Sequence, residues 1–123
     1  MSTVDRRQQL GRRGEQAAEQ TLRRAGMTIL ARRFRTRRGE IDLVAELGEM
    51  LVFVEVKARS GGGYGAPAEA VTATKRRRMA RVAELYLQRH GATERVCRFD
   101  VVEVHADEQA ELSVRHIEDA FRP

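Results

Sequence analysis

One cysteine, two lysines and no long apolar run set the first limits on this chain of 123 residues. Cys97 stands alone, which excludes an intrachain disulfide and a thiolate zinc site. It lies in "RVCRFDVVEV", where the expected reading is a buried strand residue. No apolar stretch approaches the roughly 20 residues that span a bilayer, so no membrane partner is expected. The opening "MSTVDRRQQLGRRGE" has charge with no apolar segment behind it and does not read as a signal peptide. His90, His105 and His116 are too scattered for a zinc helix motif. No Gly-rich loop is followed by Lys-Ser/Thr, so no nucleotide cofactor is expected. No serine or cysteine nucleophile constellation stands out. Together these absences fit a globular chain in a reducing, cytoplasmic compartment.

Arginine is abundant instead: 21 Arg stand against 2 Lys. Residues 1–40 hold eleven Arg and four acids, a net of +7, whereas residues 99–123 hold seven acids and two Arg, a net of −5. A basic end and an acidic end suggest a polyanion at one face. Arginine grips phosphate through two parallel hydrogen bonds, which favours nucleic acid. Genome composition can also exchange Lys for Arg, so charge alone leaves both readings open.

Periodicity predicts a first helix over about 6–25, with Leu10, Gly14, Ala17, Ala18, Thr21, Leu22 and Ala25 on one arc and Glu15 at its edge. Gly26 is a natural stop. "MTILARRF" (27–34) reads as a strand and "RTRRG" as a basic loop. A hairpin follows, then the flexible "SGGGYGAP" (60–67), whose Tyr64 could stack on a base or pack on a rim. "TKRRRMARVAELYLQRHG" predicts a helix over about 74–90, buried through Met79, Val82, Ala83, Tyr86 and Leu87. Strands are expected at 95–104 and 112–117. Asp100 in "RFDVV" could be a further polar site residue, but beside Arg98 the structural reading is the favoured one. The order α-β-β-β-α-β, with one more strand, implies a single α/β domain over 1–123. The run from 50 to 104 implies a parallel crossover and a mixed sheet.

The hairpin "GEIDLVAELGEMLVFVEVKAR" carries the chemistry. Gly48-Glu49 suits a type II′ turn. Residues whose numbers sum to 97 then face each other. Ala45, Val52, Leu43, Val54, Ile41 and Val56 are expected on one face, and Val44, Phe53, Asp42, Glu55, Glu40 and Lys57 on the other. This register sets Asp42 opposite Glu55, a repulsive pair unless a cation lies between them. Mg²⁺ suits such a site, since it needs few carboxylates and keeps several waters. Lys57, on the same face, could orient an attacking water or offset transition-state charge. An ordinary wet face, with Glu40 ion-paired to Lys57, is the competing reading.

The motifs "GEIDLVA", "LVFVEVKARS", "YG", "AV", a Lys before the second helix and "RFDVVEV" come in the order seen in the YraN-like family of bacterial proteins. The upstream "RRGEQAAEQTLRRAGMTILARRFR" resembles that family's opening too. The resemblance runs from about Gly11 to Phe121. The family in turn resembles the PD-(D/E)xK nucleases, in particular the archaeal Holliday junction resolvases. The resemblance implies a restriction-endonuclease-like α-β-β-β-α-β core, a mixed central sheet flanked by helices. It implies Mg²⁺-dependent (or Mn²⁺-dependent) phosphodiester hydrolysis. Asp42 and Glu55 would be metal ligands, Lys57 the catalytic lysine and Glu15 the first-helix acid reaching the site. Lys75 would be the polar residue presented by the second helix. Ile41 stands where the superfamily's name has proline. Arg33 stands where asparagine is expected, and Arg38 where glycine is usual.

The expected function is therefore a metal-dependent endonuclease on DNA, branched DNA included. Arg33, Arg35, Arg37, Arg38, Lys75, Arg76 and Arg77 are the expected phosphate contacts. Cations in the first turn of the second helix oppose its dipole, a cost that a phosphate would offset. Action on two strands would favour a homodimer. The alternative is a nuclease-like module that binds nucleic acid without cutting it.

Overall fold

The computed structural model of the protein describes residues 3–61 and 71–122, with side chains from residue 8 onward. Most of "SGGGYGAP", Tyr64 included, lies outside the described residues. The elements are α1 (Thr3–Arg24), β1 (Thr28–Thr36), β2 (Gly39–Leu47), β3 (Met50–Ser60), α2 (Ala73–Arg89), β4 (Cys97–Ala106) and β5 (Leu112–Phe121). The five strands form one sheet in the order β1-β2-β3-β4-β5. All neighbours are antiparallel except β3 and β4, which run parallel across the α2 crossover. This is the α/β mixed sheet of a restriction-endonuclease-like core.

Both helices end on the same device. Gly26 has φ 90°, Gly26 N–H donates to the Arg23 carbonyl and Met27 N–H to that of Leu22, both at 3.0 Å. Gly91 has φ 60°, with Gly91 N–H donating to the Gln88 carbonyl at 3.3 Å and Ala92 N–H to that of Leu87 at 2.8 Å. Only glycine takes such a left-handed position without strain, so each helix stops where its glycine falls.

The sheet is covered on both faces. Ala18 and Leu22 of α1 cluster with Leu43, Ala45, Val52, Val54, Val102 and Val104. Gly14 lets α1 approach closely: a Cβ there would lie 3.1 Å from Ala58 Cβ. Met79, Val82, Ala83 and Tyr86 of α2 cluster with Ile41, Val44, Phe53, Phe99 and Val101. Phe53 is fully buried, its ring 5.8 Å from Tyr86 and 5.6 Å from Phe99. Each such side chain contributes about 1.5–3 kcal/mol of apolar burial.

Several expectations need correction. β1 runs on through Arg35 and Thr36, so only Arg37 and Arg38 form the turn before β2. The basic loop is thus mostly strand. β5 extends to Phe121. Ala25 is exposed, and Cys97 is only partly buried. Ile41 belongs to the α2 face, not the α1 face. That last difference leads to the site.

Candidate active site

Gly48 at φ 59°, with no positive φ at Glu49, fits the type II′ turn, and the β2–β3 ladder has the expected register from Leu47–Met50 to Leu43–Val54. There it stops. The N–H groups of a strand point alternately to its two neighbours. Leu51 N–H goes to the Val96 carbonyl, on the β4 side, so Val56 N–H faces β2. A continued ladder would give it the Ile41 carbonyl. Instead it donates to Asp42 Oδ2 at 2.7 Å. The Asp42 side chain replaces a rung of the sheet, the two strands part, and Ile41 turns toward α2. On the other side of β2, Arg32 pairs with Leu43 and Phe34 with Ile41, while Arg33 takes φ 52° opposite Asp42. The irregular positions on β1 and β2 face each other, so the β1–β2 register continues past them.

Glu55, on the α2 face of β3, is 4 % exposed. Its Oε1 accepts a hydrogen bond from Lys75 Nζ, in the first turn of α2. Thr72 caps that helix by accepting Lys75 N–H at 3.2 Å, which holds Lys75 over the sheet. Burial and the nearby Glu55 carboxylate push the Asp42 carboxyl up to about 7. Burial lowers the Lys57 pKa, and the charge of Lys75 lowers it further. Burial also works against the Lys75 charge, but the hydrogen bond and charge of Glu55 outweigh it and its pKa rises. Asp42, Glu55, Lys57 and Lys75 therefore form one interacting cluster.

Other expected residues lie elsewhere or are engaged. The Glu15 carboxylate takes Arg33 Nη2 at 2.9 Å, an ion pair at the edge of the cluster whose arginine also feels Asp42. Arg35 is held by Glu40 at 2.7 Å, so Glu40 is engaged on the β1 side and the Glu40–Lys57 pair of the competing reading gives way to this one. Arg76 donates to the Val71 carbonyl at 3.0 Å and lies over the Phe121 ring. The side chains of Arg37, Arg38 and Arg77 are exposed. A cleft of about 620 Å³ between Arg13, Glu19, Arg23 and Arg32 includes none of the candidate residues.

Two buried acids complete the central strands. Asp100 is fully buried and accepts from Arg98 at 2.8 and 2.9 Å, His116 at 2.7 Å and Asp119 N–H at 3.0 Å. Burial raises its carboxyl pKa, but these donors outweigh burial and bring it below the usual range. It pins the kink of β5 at Asp119, φ 49°, as a structural acid should. Glu103, not singled out by sequence reasoning, is 1 % exposed and lies in register with Lys57 on the neighbouring strand. Arg115 donates to its Oε2 at 2.7 Å, while Oε1 is buried with no hydrogen-bond partner among the described residues.

The donor set suits a hard divalent cation. Asp42 and Glu55 offer carboxylate oxygens close enough to repel, and the charge that now offsets them comes from Lys75. Among the described residues, no group of three or more Asp, Glu, His and Cys is arranged to hold a metal. Two carboxylates suffice for Mg²⁺, which completes its shell with water and phosphate oxygens.

The model of Uncharacterised protein family UPF0102 matches residues 14–104, which contain this whole cluster. The chain belongs to that family. It is 54 % identical over 112 residues to a UPF0102 protein of Symbiobacterium thermophilum, covering 91 % of this chain and 95 % of the relative. A UPF0102 protein of Caldicellulosiruptor saccharolyticus is 44 % identical over 116 residues, covering 94 % and 98 %. One from Rhodococcus jostii is 46 % identical over 112 residues, covering 91 % and 95 %. The YraN-like resemblance in the motifs is thus a family relationship along most of the chain. Among the described residues, no helix of this UPF0102 protein is long and apolar enough to cross a membrane.

Proposed function

We propose that this UPF0102 protein is a metal-dependent endonuclease that hydrolyses phosphodiester bonds of DNA, branched DNA included, in the cytoplasm. One observation carries the reading: a carboxylate pair, Glu55 buried and Asp42 half-buried, lies where β2 and β3 part, with Lys57 and Lys75 beside it. A sheet gains nothing from facing acids unless they hold a cation or a proton.

Asp42 and Glu55 would hold Mg²⁺ or Mn²⁺, and Glu15, now paired with Arg33, would be the supporting acid. When bound, the metal supplies a Lewis acid for a phosphate oxygen and lowers the pKa of a coordinated water. Lys57 Nζ, on the same face beside the two acids, orients the attacking water. Lys57 and Lys75 offset the charge that builds on the phosphate oxygens. Arg37, Arg38 and Arg77 hold the flanking phosphates.

The test is cleavage of labelled junction, flap, duplex and single-stranded DNA by wild type, Asp42→Ala and Glu55→Ala, with Mg²⁺, Mn²⁺ or EDTA. Cutting should need metal and vanish in both variants while DNA binding persists. Equal cutting by wild type and variants would overturn the reading. A second reading, a binding module that does not cut, draws on Lys75 and Arg33, which already neutralise Glu55 and Glu15. It predicts salt-sensitive binding without metal dependence or product.

A further inference from the structure

We propose that Lys75 is an exchangeable counter-ion. Its ammonium neutralises Glu55 while no metal is bound, and it passes to a phosphate of the nucleic acid when a divalent cation is held by Asp42 and Glu55. This inference rests on the metal-site reading above and adds a coupling between metal loading and substrate binding.

Three observations carry it. The first is an asymmetry of exposure. The Glu55 side chain is 6 % exposed and that of Lys75 35 %. Glu55 cannot trade its partner for water, but Lys75 can swing outward on its four-carbon stem. The second is placement. Lys75 sits in the first turn of α2, among Arg76, Arg77 and Arg78, with no acid in that turn. A cation there faces the positive end of the helix dipole and needs an anion close by. Glu55 is that anion within the protein, and the N-terminal end of a helix also favours a phosphate. The third is charge balance. Asp42 and Glu55 against Lys57 and Lys75 leave the cluster neutral with both acids ionised. A further double positive charge would leave two ammonium groups in excess. Lys75 is the ammonium hydrogen-bonded to Glu55, the carboxylate the metal would take, so Lys75 is the group that departs.

Lys75 and a metal thus compete for the same carboxylate, and Lys75 released from Glu55 is ready for a phosphate. Metal and nucleic acid then each strengthen the binding of the other, by a reciprocal factor.

The experiment is a Mn²⁺ titration of wild type, Lys75→Met and Lys75→Arg without DNA, followed by calorimetry. Loss of the competing ammonium should tighten Mn²⁺ binding in Lys75→Met by at least about fivefold. Lys75→Arg, which keeps the charge, should stay near wild type. If Lys75→Met does not fold by circular dichroism, Lys75→Gln takes its place. Equal or weaker Mn²⁺ binding in a folded uncharged variant overturns the exchange and leaves the metal site standing. Mn²⁺ binding by none of the proteins overturns both. The phosphate half is read by fluorescence anisotropy of a labelled DNA duplex with and without Ca²⁺. The gain in affinity on adding Ca²⁺ should be smaller in the uncharged variant. An equal gain overturns that half.

Discussion

The Asp42 carboxylate accepts the Val56 N–H at 2.7 Å, in the place of a backbone rung between β2 and β3. The hydrogen bond favours the ionised acid, but burial and Glu55 oppose it and win, holding the carboxyl at about 7 against an ordinary 3.8. In the unfolded chain Asp42 loses its proton near pH 4, while in the folded chain it keeps it to about pH 7. Between those values the folded state binds the extra proton, so stability falls as pH rises. The metal-free protein should therefore melt at a lower temperature at pH 8 than at pH 5. Asp42→Asn keeps an oxygen for Val56 and has no charge to bury. It should lack that part of the slope and exceed wild type at pH 8 by about 1–2 kcal/mol. Parallel melting curves against pH for the two proteins would show that the slope arises elsewhere.

Metal should reverse the same penalty. At pH 8, Mg²⁺ or Mn²⁺ at about 100 times its Kd should stabilise the protein by about 2.7 kcal/mol. The gain should shrink at pH 5, where Asp42 is protonated, and EDTA should abolish it. Glu55→Ala should show no gain at either pH. Differential scanning calorimetry measures all four conditions, and an equal gain in Glu55→Ala would place the metal elsewhere.

Much of this arrangement was legible in the sequence. Gly26, Gly91 and Gly48-Glu49 announce the helix stops and the hairpin because glycine takes those backbone angles without the strain other residues meet. Residue parity placed Val44 and Phe53 on one face with Glu55 and Lys57, the face that α2 covers. Parity failed at Ile41, because an alternation rule assumes an unbroken ladder and cannot foresee a side chain taking a rung. The ends of β1 were hidden for a similar reason: Arg-rich "RTRR" looks like a loop, yet Arg35 stays in the strand by pairing with Glu40. Glu103 resembles an ordinary solvent-facing position of an alternating strand. Only β5 laid beside it, with Arg115, reveals a buried acid.

Arg33 stands at φ 52° where the family resemblance leads one to expect asparagine. The left-handed region costs an ordinary residue about 1–2 kcal/mol, and asparagine visits it more readily. Arg33 is compensated by its pair with Glu15, but both side chains are well exposed, 50 % and 35 %. Such a pair is worth about 0–1 kcal/mol. Backbone relief should win, so Arg33→Asn should raise stability by up to about 1 kcal/mol in urea denaturation. A loss instead would show that the Glu15 pair is the stronger term.

Asp100 tests whether a buried acid near the site belongs to it. Four donated hydrogen bonds from Arg98, His116 and Asp119 meet its carboxylate, and none comes from the Asp42–Glu55 cluster. Asp100→Ala strands the Arg98 charge and the Asp119 N–H, a loss of about 3–5 kcal/mol. Its lowered pKa means that this stability is present above about pH 4 and fades as the acid is protonated below it. Mn²⁺ affinity of the still-folded variant at low temperature should equal that of wild type. A large drop in affinity would make Asp100 part of the metal site.

The turn between β1 and β2 gives the sharpest test of the nucleic-acid face. Arg37 and Arg38 extend exposed side chains there, whereas Arg35 beside them is held by Glu40. A free guanidinium that neutralises a phosphate releases counterions, and its removal flattens the dependence of log K on log salt. Arg37→Ala and Arg38→Ala should each weaken duplex binding for every sequence tested and lower the salt slope by about 1. Arg35→Ala should change the slope less, because its charge is already spent on Glu40. A slope unaltered in both Arg37→Ala and Arg38→Ala would move the DNA path away from this turn and toward the first turn of α2, where Arg77 is the exposed cation to remove next.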